Sequence, residues 1–356
     1  MNDHTRWMHR CLDLARLGAG TVAPNPMVGA VLVKDDVLLA EGWHKQVGRP
    51  HAEVECLRNF GEGAIPPGAV LYVNLEPCDH FGRTPPCSLH LIERGVKLVV
   101  VAHRDPNPAV SGRGIERLRT AGISVTEGVL EDEARWMNRR FLTSTERSRP
   151  YIVLKWAQSA DGYLDRHPRG DRGVQRISAQ DTDVLVHRWR SEEQAILVGS
   201  RTVMNDDPSL DVRHVSGRSP MRIVIDREHR TPAGSRVFDG SHPTLLFTGS
   251  VRAEINTEQV IVAMNEDPID RLLTELHGRS VRSVLVEGGA ELLGHFIHRS
   301  LWDEARVITG TLLFGSGTKA PSIGMERTTS FRSANDQVDL YVNTMHRGYP
   351  GPSCSW

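Results

Sequence analysis

Two motifs constrain this chain more than anything else in it: His51-Ala-Glu53, and a run from Glu76-Pro-Cys78 through Pro86-Cys87. Neutral imidazole and thiolate are donors that Zn²⁺ prefers, and a catalytic zinc keeps three protein ligands and leaves its fourth position to water. His51, Cys78 and Cys87 supply such a set. Glu53, two residues after His51, is too close to it for a comfortable fourth ligand but well placed to take a proton from the bound water. Metal binding brings that water from a pKa of about 15.7 to about 7, which makes hydroxide available at neutral pH. A fold carrying these motifs has to bring the starts of two helices to the corner that follows a strand.

Zinc deaminases, in which hydroxide attacks a ring carbon bearing an exocyclic amine, follow the same logic in the form H-x-E…P-C-x-x-C. Here eight residues, not two, separate the cysteines. A lone H-x-E carries little information, and widely spaced cysteines are usually buried small hydrophobes. The joint presence of H-A-E, E-P-C and a second Pro-Cys outweighs that reading. A structural zinc would need a closed set of four ligands, and only Cys56, His80 or His90 could complete one.

At 356 residues the chain is long for one core, which predicts two domains. Lys and Arg number 43 against 44 Asp and Glu, without the basic excess that phosphate contacts give a nucleic-acid enzyme. Cys11, Cys56 and Cys354, left over from the zinc motif, form no disulfide framework and read as free thiols in a reducing compartment. The N-terminus is polar with no apolar segment behind it, and no membrane-length apolar run occurs. A cytoplasmic soluble enzyme is expected, acting on a small molecule without nucleic-acid or membrane partners; homo-oligomerisation stays open.

Periodicity predicts a helix over 3–18, a hairpin from 28–33 and 37–40, a helix over 52–60, a strand over 69–75 and a helix from Cys87. A strand over 97–102, helix 113–121, strand 123–127 and helix 131–145 complete an α/β/α sandwich. Asn25, between two prolines, lies on the loop entering the first strand. The pattern turns polar and aperiodic over 143–150, placing a boundary between domains 1–146 and 150–356. The second half restarts with strand 151–156. Helix 179–190, strands 195–199, 222–226 and 244–248, helix 269–277, strand 283–287, helix 290–299 and strand 304–309 follow. That alternation predicts an α/β domain with a largely parallel sheet. No G-x-G-x-x-G follows its first strand; instead Glu287-Gly288-Gly289 closes a strand and opens a helix, where backbone N–H groups suit a phosphate.

Pro24-Asn-Pro-Met-Val-Gly29, His51-Ala-Glu-Val54 and Leu75-Glu-Pro-Cys-x-His-x-Gly-Arg-Thr-Pro-Pro-Cys87 resemble the deaminase half of the bifunctional riboflavin-biosynthesis deaminase/reductases. Lys155-x-Ala-x-Ser159-x-Asp161-Gly162, the run from Gly199 through Thr202, Asp206 and Leu210 to Arg213, and Val286-Glu-Gly-Gly289 resemble the reductase half. The resemblance implies a cytidine-deaminase-like domain followed by a dihydrofolate-reductase-like domain, with Zn²⁺ and NADPH as cofactors. It implies hydrolytic deamination of 2,5-diamino-6-(5-phosphoribosylamino)pyrimidin-4-one and then reduction of the ribosyl group to ribityl. Asn25, His80 and Arg83 would contact the first substrate, and Arg190, Leu210 and Arg213 the second. Lys155 and Glu287 would serve the reduction. Ala157, Thr202, Asp206, Gly289, Ala290 and Glu291 would meet the cofactor, with Arg227 a candidate for its 2′-phosphate. One departure stands out: Arg176 occupies the place of a tryptophan that most members set against the cofactor. Its guanidinium plane offers stacking but not the same apolar wall. The alternatives are a nucleoside or tRNA deaminase with an appended domain, a structural zinc module, and an active deaminase whose second half binds nucleotide without reducing it.

Overall fold

Side chains alternate across a strand, so a strand apolar at every position has to be covered on both faces. Strand β3 (Val70–Val73) has this character throughout, and β1 (Gly29–Lys34) as far as Val33. Ala30, Leu32, Leu71 and Val73 enter one core, and Val31, Val33, Val70 and Tyr72 enter another. Helices α2 (Ala52–Phe60), α3 (Cys87–Glu93) and α4 (Arg113–Thr120) supply Leu57, Leu91 and Leu118 to the first. Helices α1 (His4–Arg16) and α5 (Glu131–Met137) supply Met8, Leu12, Ala134 and Met137 to the second. With β2 (Val37–Trp43), β4 (Leu98–Val101) and β5 (Ser124–Glu127) the sheet runs β2-β1-β3-β4-β5. The expected α/β/α sandwich is present.

This computed structural model describes residues 4–81, 85–107, 111–170 and 172–346. The chain divides between Arg147 and Ser148 into two compact units. The helix expected over 131–145 is broken: α5 stops at Met137, and α6 (Arg139–Arg147) runs on through the segment expected to be aperiodic. The break has a cause at Asn138. Its buried amide accepts from the Met27 N–H at 2.8 Å and donates to the Met27 carbonyl at 3.0 Å, which clamps the loop carrying Asn25.

The second unit contains β6 (Tyr151–Gln158), α7 (Thr182–Glu192), β7 (Ala195–Gly199), α8 (Ser200–Asp206), β8 (Met221–Asp226), β9 (Thr244–Thr248) and β10 (Glu258–Ile261). After these come α9 (Pro268–Gly278), β11 (Ser283–Val286), α10 (Ala290–His298), β12 (Glu304–Thr309), β13 (Thr329–Ser333) and β14 (Asp336–Val342). Its sheet runs β10-β9-β8-β7-β11-β6-β12-β14-β13, parallel from β10 to β12 and antiparallel beyond. The predicted parallel character holds, but α8, β10, β13 and β14 had no counterpart among the expected elements. Strand β10 and helix α8 are short, and β13 is largely exposed, so it lacks the alternation that marks a half-buried strand. Strand β14, seven residues with alternating burial, is the one that carried a readable signal.

In both units the chemistry-bearing loops gather at one edge. Trp43 pairs with Gly29, and Val73 with Ala30, so β2 and β3 end where β1 begins. Helix α2 lies tight on β2 there: a Cβ added at Gly42 would fall 2.4 Å from the backbone nitrogen of Cys56. Gly42→Ala should therefore push α2 outward and cost about 1–3 kcal/mol of stability, the usual range for overpacking. Denaturant unfolding of the variant measures that loss.

Candidate functional site

At the edge where β2 and β3 end, three soft donors converge. His51 N-caps α2 and Cys87 is the first residue of α3, while Cys78 sits on the corner after β3. Their donor atoms all lie within 4.8 Å of one another, with His51 Nδ1 3.3 Å from Cys87 Sγ and 3.6 Å from Cys78 Sγ. Among the described residues no other group of His, Cys, Asp and Glu converges in this way. The Cys78 sulfur also accepts the Cys87 N–H at 3.3 Å. Bonding from the Cys87 thiol and the His51 ring lowers the Cys78 pKa, while the same thiol pair and burial push Cys87 up. Two sulfurs so close resist ionising together unless a cation stands between them. This donor set, two thiolates and an imidazole, is one that zinc takes.

Glu53 lies in the first turn of α2 and is buried at 3% exposure. Burial pushes its carboxyl up to about 7, near the value at which a group can both take and give a proton at neutral pH. One neighbour went unnoticed in the sequence. His44, just past β2, is buried with its ring edge-on to His51 at 5.5 Å. The Asn25 amide donates to its Nε2 at 3.1 Å, and its Nδ1 donates to the Pro50 carbonyl at 3.0 Å. Those partners assign the proton to Nδ1, and burial lowers its pKa, so the ring is neutral. The available signal was Gly42-Trp43-His44 closing the hairpin; the second strand was expected to stop at Ala40, short of the site. His80 is exposed, and Arg83 lies outside the described residues.

In the second unit, a cavity of about 760 Å³ opens at the carboxyl ends of the parallel strands, the usual ligand position in such sheets. Lys155 and Ala157 on β6, and Arg190 on α7, line it. Thr202 and Asp206 on α8 line it as well, as do Leu210 and Arg213. Glu287, after β11, reaches it together with Gly289, Ala290 and Glu291 at the start of α10. Because Val286 pairs with Leu154, Glu287 comes beside Lys155. Their charged atoms are 3.9 Å apart, and Arg190 grips the same carboxylate with two bonds of 2.7 and 3.0 Å. Burial would raise the Glu287 pKa, but Arg190 and Lys155 hold it down to about 2. Burial lowers that of Lys155, with Glu287 opposing.

Several of the expected residues have partners of their own. Arg176 lines the cavity but pairs with Asp183 at 2.8 Å, and the apolar surface beside it comes from Ile177. Arg213 pairs with Asp211, and its N–H donates to His187 Nδ1 at 2.9 Å. Arg227 lines the cavity while its guanidinium donates to the carbonyls of Ala263, Met264 and Glu266. Arg169, which the sequence did not single out, binds Asp206.

Residues 1–103 match the model of the cytidine and deoxycytidylate deaminase zinc-binding region, and residues 150–340 that of the RibD C-terminal domain. The chain is 40% identical over 326 residues to the riboflavin biosynthesis protein RibD of Aquifex aeolicus, covering 90% of each. The chain belongs to the RibD family. It is a bifunctional enzyme of riboflavin biosynthesis, a deaminase joined to a reductase. The Escherichia coli RibD is 38% identical over 331 residues, covering 88% of this chain and 89% of its own. A solved deaminase/reductase from Thermotoga maritima superposes with a TM-score of 0.85 at 35% identity, covering 94% of this chain and 97% of its own. Acinetobacter baumannii RibD gives 0.86 at 34% identity, covering 95% and 98%. Zinc and NADPH are the cofactors of the RibD family. The match runs through both halves, which favours two working activities over a degenerate second domain.

Metal analysis should find about one zinc per chain, since one three-donor site assembles. Cys78→Ser and Cys87→Ser should each lose it, because a hydroxyl replaces thiolate poorly; full retention in both would remove these cysteines from the site.

Proposed function

We propose that residues 1–146 deaminate 2,5-diamino-6-(5-phosphoribosylamino)pyrimidin-4-one and that residues 150–356 reduce the deaminated product's ribosyl group to ribityl. The observation that carries the first half is the buried Glu53 carboxyl beside three convergent soft donors. In this reading His51, Cys78 and Cys87 hold zinc, which when bound activates water at neutral pH. Glu53 takes one proton from the attacking water and gives it to the ring nitrogen. It then takes the second from the hydroxyl added to the ring carbon and gives it to the amine, so that the C–N bond breaks, ammonia leaves and the ring keeps C=O and N–H. Asn25, fixed through His44, orients the pyrimidine, with His80 and Arg83 on the loop between the cysteines as further contacts.

For the second half, NADPH when bound supplies the hydride, and the residues position the opened sugar against it. Lys155, Arg190 and Glu287 form a nearly buried trio of two cations and one anion, which suits a phosphorylated substrate. Arg213 and Leu210, which line the same cavity, complete the substrate end. Ala157, Arg176, Thr202, Asp206 and the 289–291 turn receive the cofactor, with Arg227 reading its 2′-phosphate. The substrate is a small molecule handled in the cytoplasm, with no nucleic-acid or membrane partner; among the described residues no helix is long and apolar enough to cross a membrane.

The two chemistries should separate by mutation. Glu53→Gln should keep zinc and fold yet lower ammonia release by about 10²–10⁴-fold, the usual contribution of an acid–base group. Given the deaminated substrate, that variant should oxidise NADPH at the parent rate. Lys155→Ala and Glu287→Ala should release ammonia normally and accumulate the unreduced uracil, read by product mass. Loss of NADPH oxidation in folded, zinc-loaded Glu53→Gln would require one composite site instead.

Arg227→Ala tests cofactor choice. Removing one charge-assisted pair costs about 1.5–3 kcal/mol, so the KM for NADPH should rise at least about tenfold while that for NADH holds. Equal changes for both cofactors would make Arg227 only a latch for the 263–266 turn.

A further inference from the structure

In the short P-C-x-x-C form, both cysteines fall within one helical turn, so local geometry spaces them. Eight intervening residues remove that constraint here, and something outside the segment has to set Cys78 relative to Cys87 and His51. The residues flanking the cysteines show what does so. Glu76, two positions before Cys78, is buried at 3% exposure and its carboxylate accepts four backbone N–H groups. Oε1 takes those of Gly114 at 2.9 Å and Ile115 at 3.3 Å, in the first turn of α4. Oε2 takes those of Gly112 at 3.0 Å and Asp105 at 3.1 Å. The first N–H groups of a helix have no partner within it, and they carry partial positive charge, so a carboxylate is a strong cap for them. This cap comes from 38 residues away in sequence.

A second tie lies on the other side of Cys78. Asp79 pairs with Arg117 of α4 and accepts the hydroxyl of Ser88 at 2.6 Å, the residue after Cys87. The Ser88 N–H in turn donates to the Cys78 carbonyl at 3.2 Å. The α4 start is also pressed against this corner: a Cβ on Gly114 would fall 2.0 Å from the Pro77 carbonyl oxygen. Cys78 is thus held from both neighbours by one helix that contributes no zinc donor itself.

We propose that Glu76 is a positioning residue of the zinc site, which uses α4 as a brace, seconded by Asp79–Arg117, in place of the short cysteine spacing. The proposal rests on the reading of His51, Cys78 and Cys87 as the zinc ligands. Outer partners of metal ligands typically contribute about 10–100-fold to metal affinity. Glu76→Ala in the full-length chain should therefore weaken zinc by that factor in chelator competition. Glu76→Gln, which keeps one carbonyl acceptor, should fall between it and the parent. Cobalt-substituted protein should show altered ligand-field absorption in Glu76→Ala, a signature that a general loss of stability would not produce. The zinc-loaded variants should release ammonia with lowered kcat at little changed KM, and should oxidise NADPH normally with the deaminated substrate.

If Glu76→Ala fails to fold, Glu76→Gln and Arg117→Met carry the same comparison. Parent-like zinc affinity and cobalt spectrum in folded Glu76→Gln and Arg117→Met would overturn the proposal and leave Glu76 a helix cap alone. A parent protein that binds no zinc would instead overturn the ligand assignment beneath it.

Discussion

The first unit is organised around a crowding problem: two cysteine sulfurs and an imidazole nitrogen held within 4.8 Å of one another. Thiols at that separation push each other's ionisation apart, Cys78 down and Cys87 up, and a shared divalent cation is the chemistry that relieves the conflict. Holding such a cluster needs rigid supports on every side. Here they are the first turn of α2, the start of α3 and the corner after β3, all at the edge where β1 begins. Glu53 shares the first turn that carries His51 and inherits the burial, which raises its pKa into the range useful for proton transfer.

The second unit solves a different electrostatic problem by the same placement rule. A carboxylate at Glu287 is costly to bury, and Arg190 and Lys155 offset the cost so that it stays ionised. In return Glu287 holds both cations at the cavity wall with their geometry set before any ligand arrives, an arrangement that suits recognition of a phosphorylated group. The trio depends on β11 being inserted between β6 and β7, since only then does Glu287 lie beside Lys155.

Much of this was legible in the chain. Residue type and spacing singled out His51, Cys78 and Cys87, whose donor atoms converge, and Glu53, which is buried next to them. The apolar strands β1, β3, β6, β7 and β11 were legible because burial on two faces leaves a continuous apolar run. Short or exposed elements such as α8, β10 and β13 gave no such signal. The break at Asn138 was hidden for another reason: its cause is a pair of hydrogen bonds to Met27, 111 residues away.

The sequence alone determined which groups are available for chemistry, and family resemblance supplied many of the residues that line the cavity in the second unit. Only the tertiary structure decided how those groups are held. That His44 joins Asn25 to the His51 edge follows from where β2 stops, three residues beyond the expected end of the strand. That Arg227 donates to three carbonyls, and Arg176 to Asp183, follows from loops whose paths no local pattern encodes. Residue type fixes what a side chain can donate, accept or ligate, but its actual partner depends on the packing of segments distant in sequence.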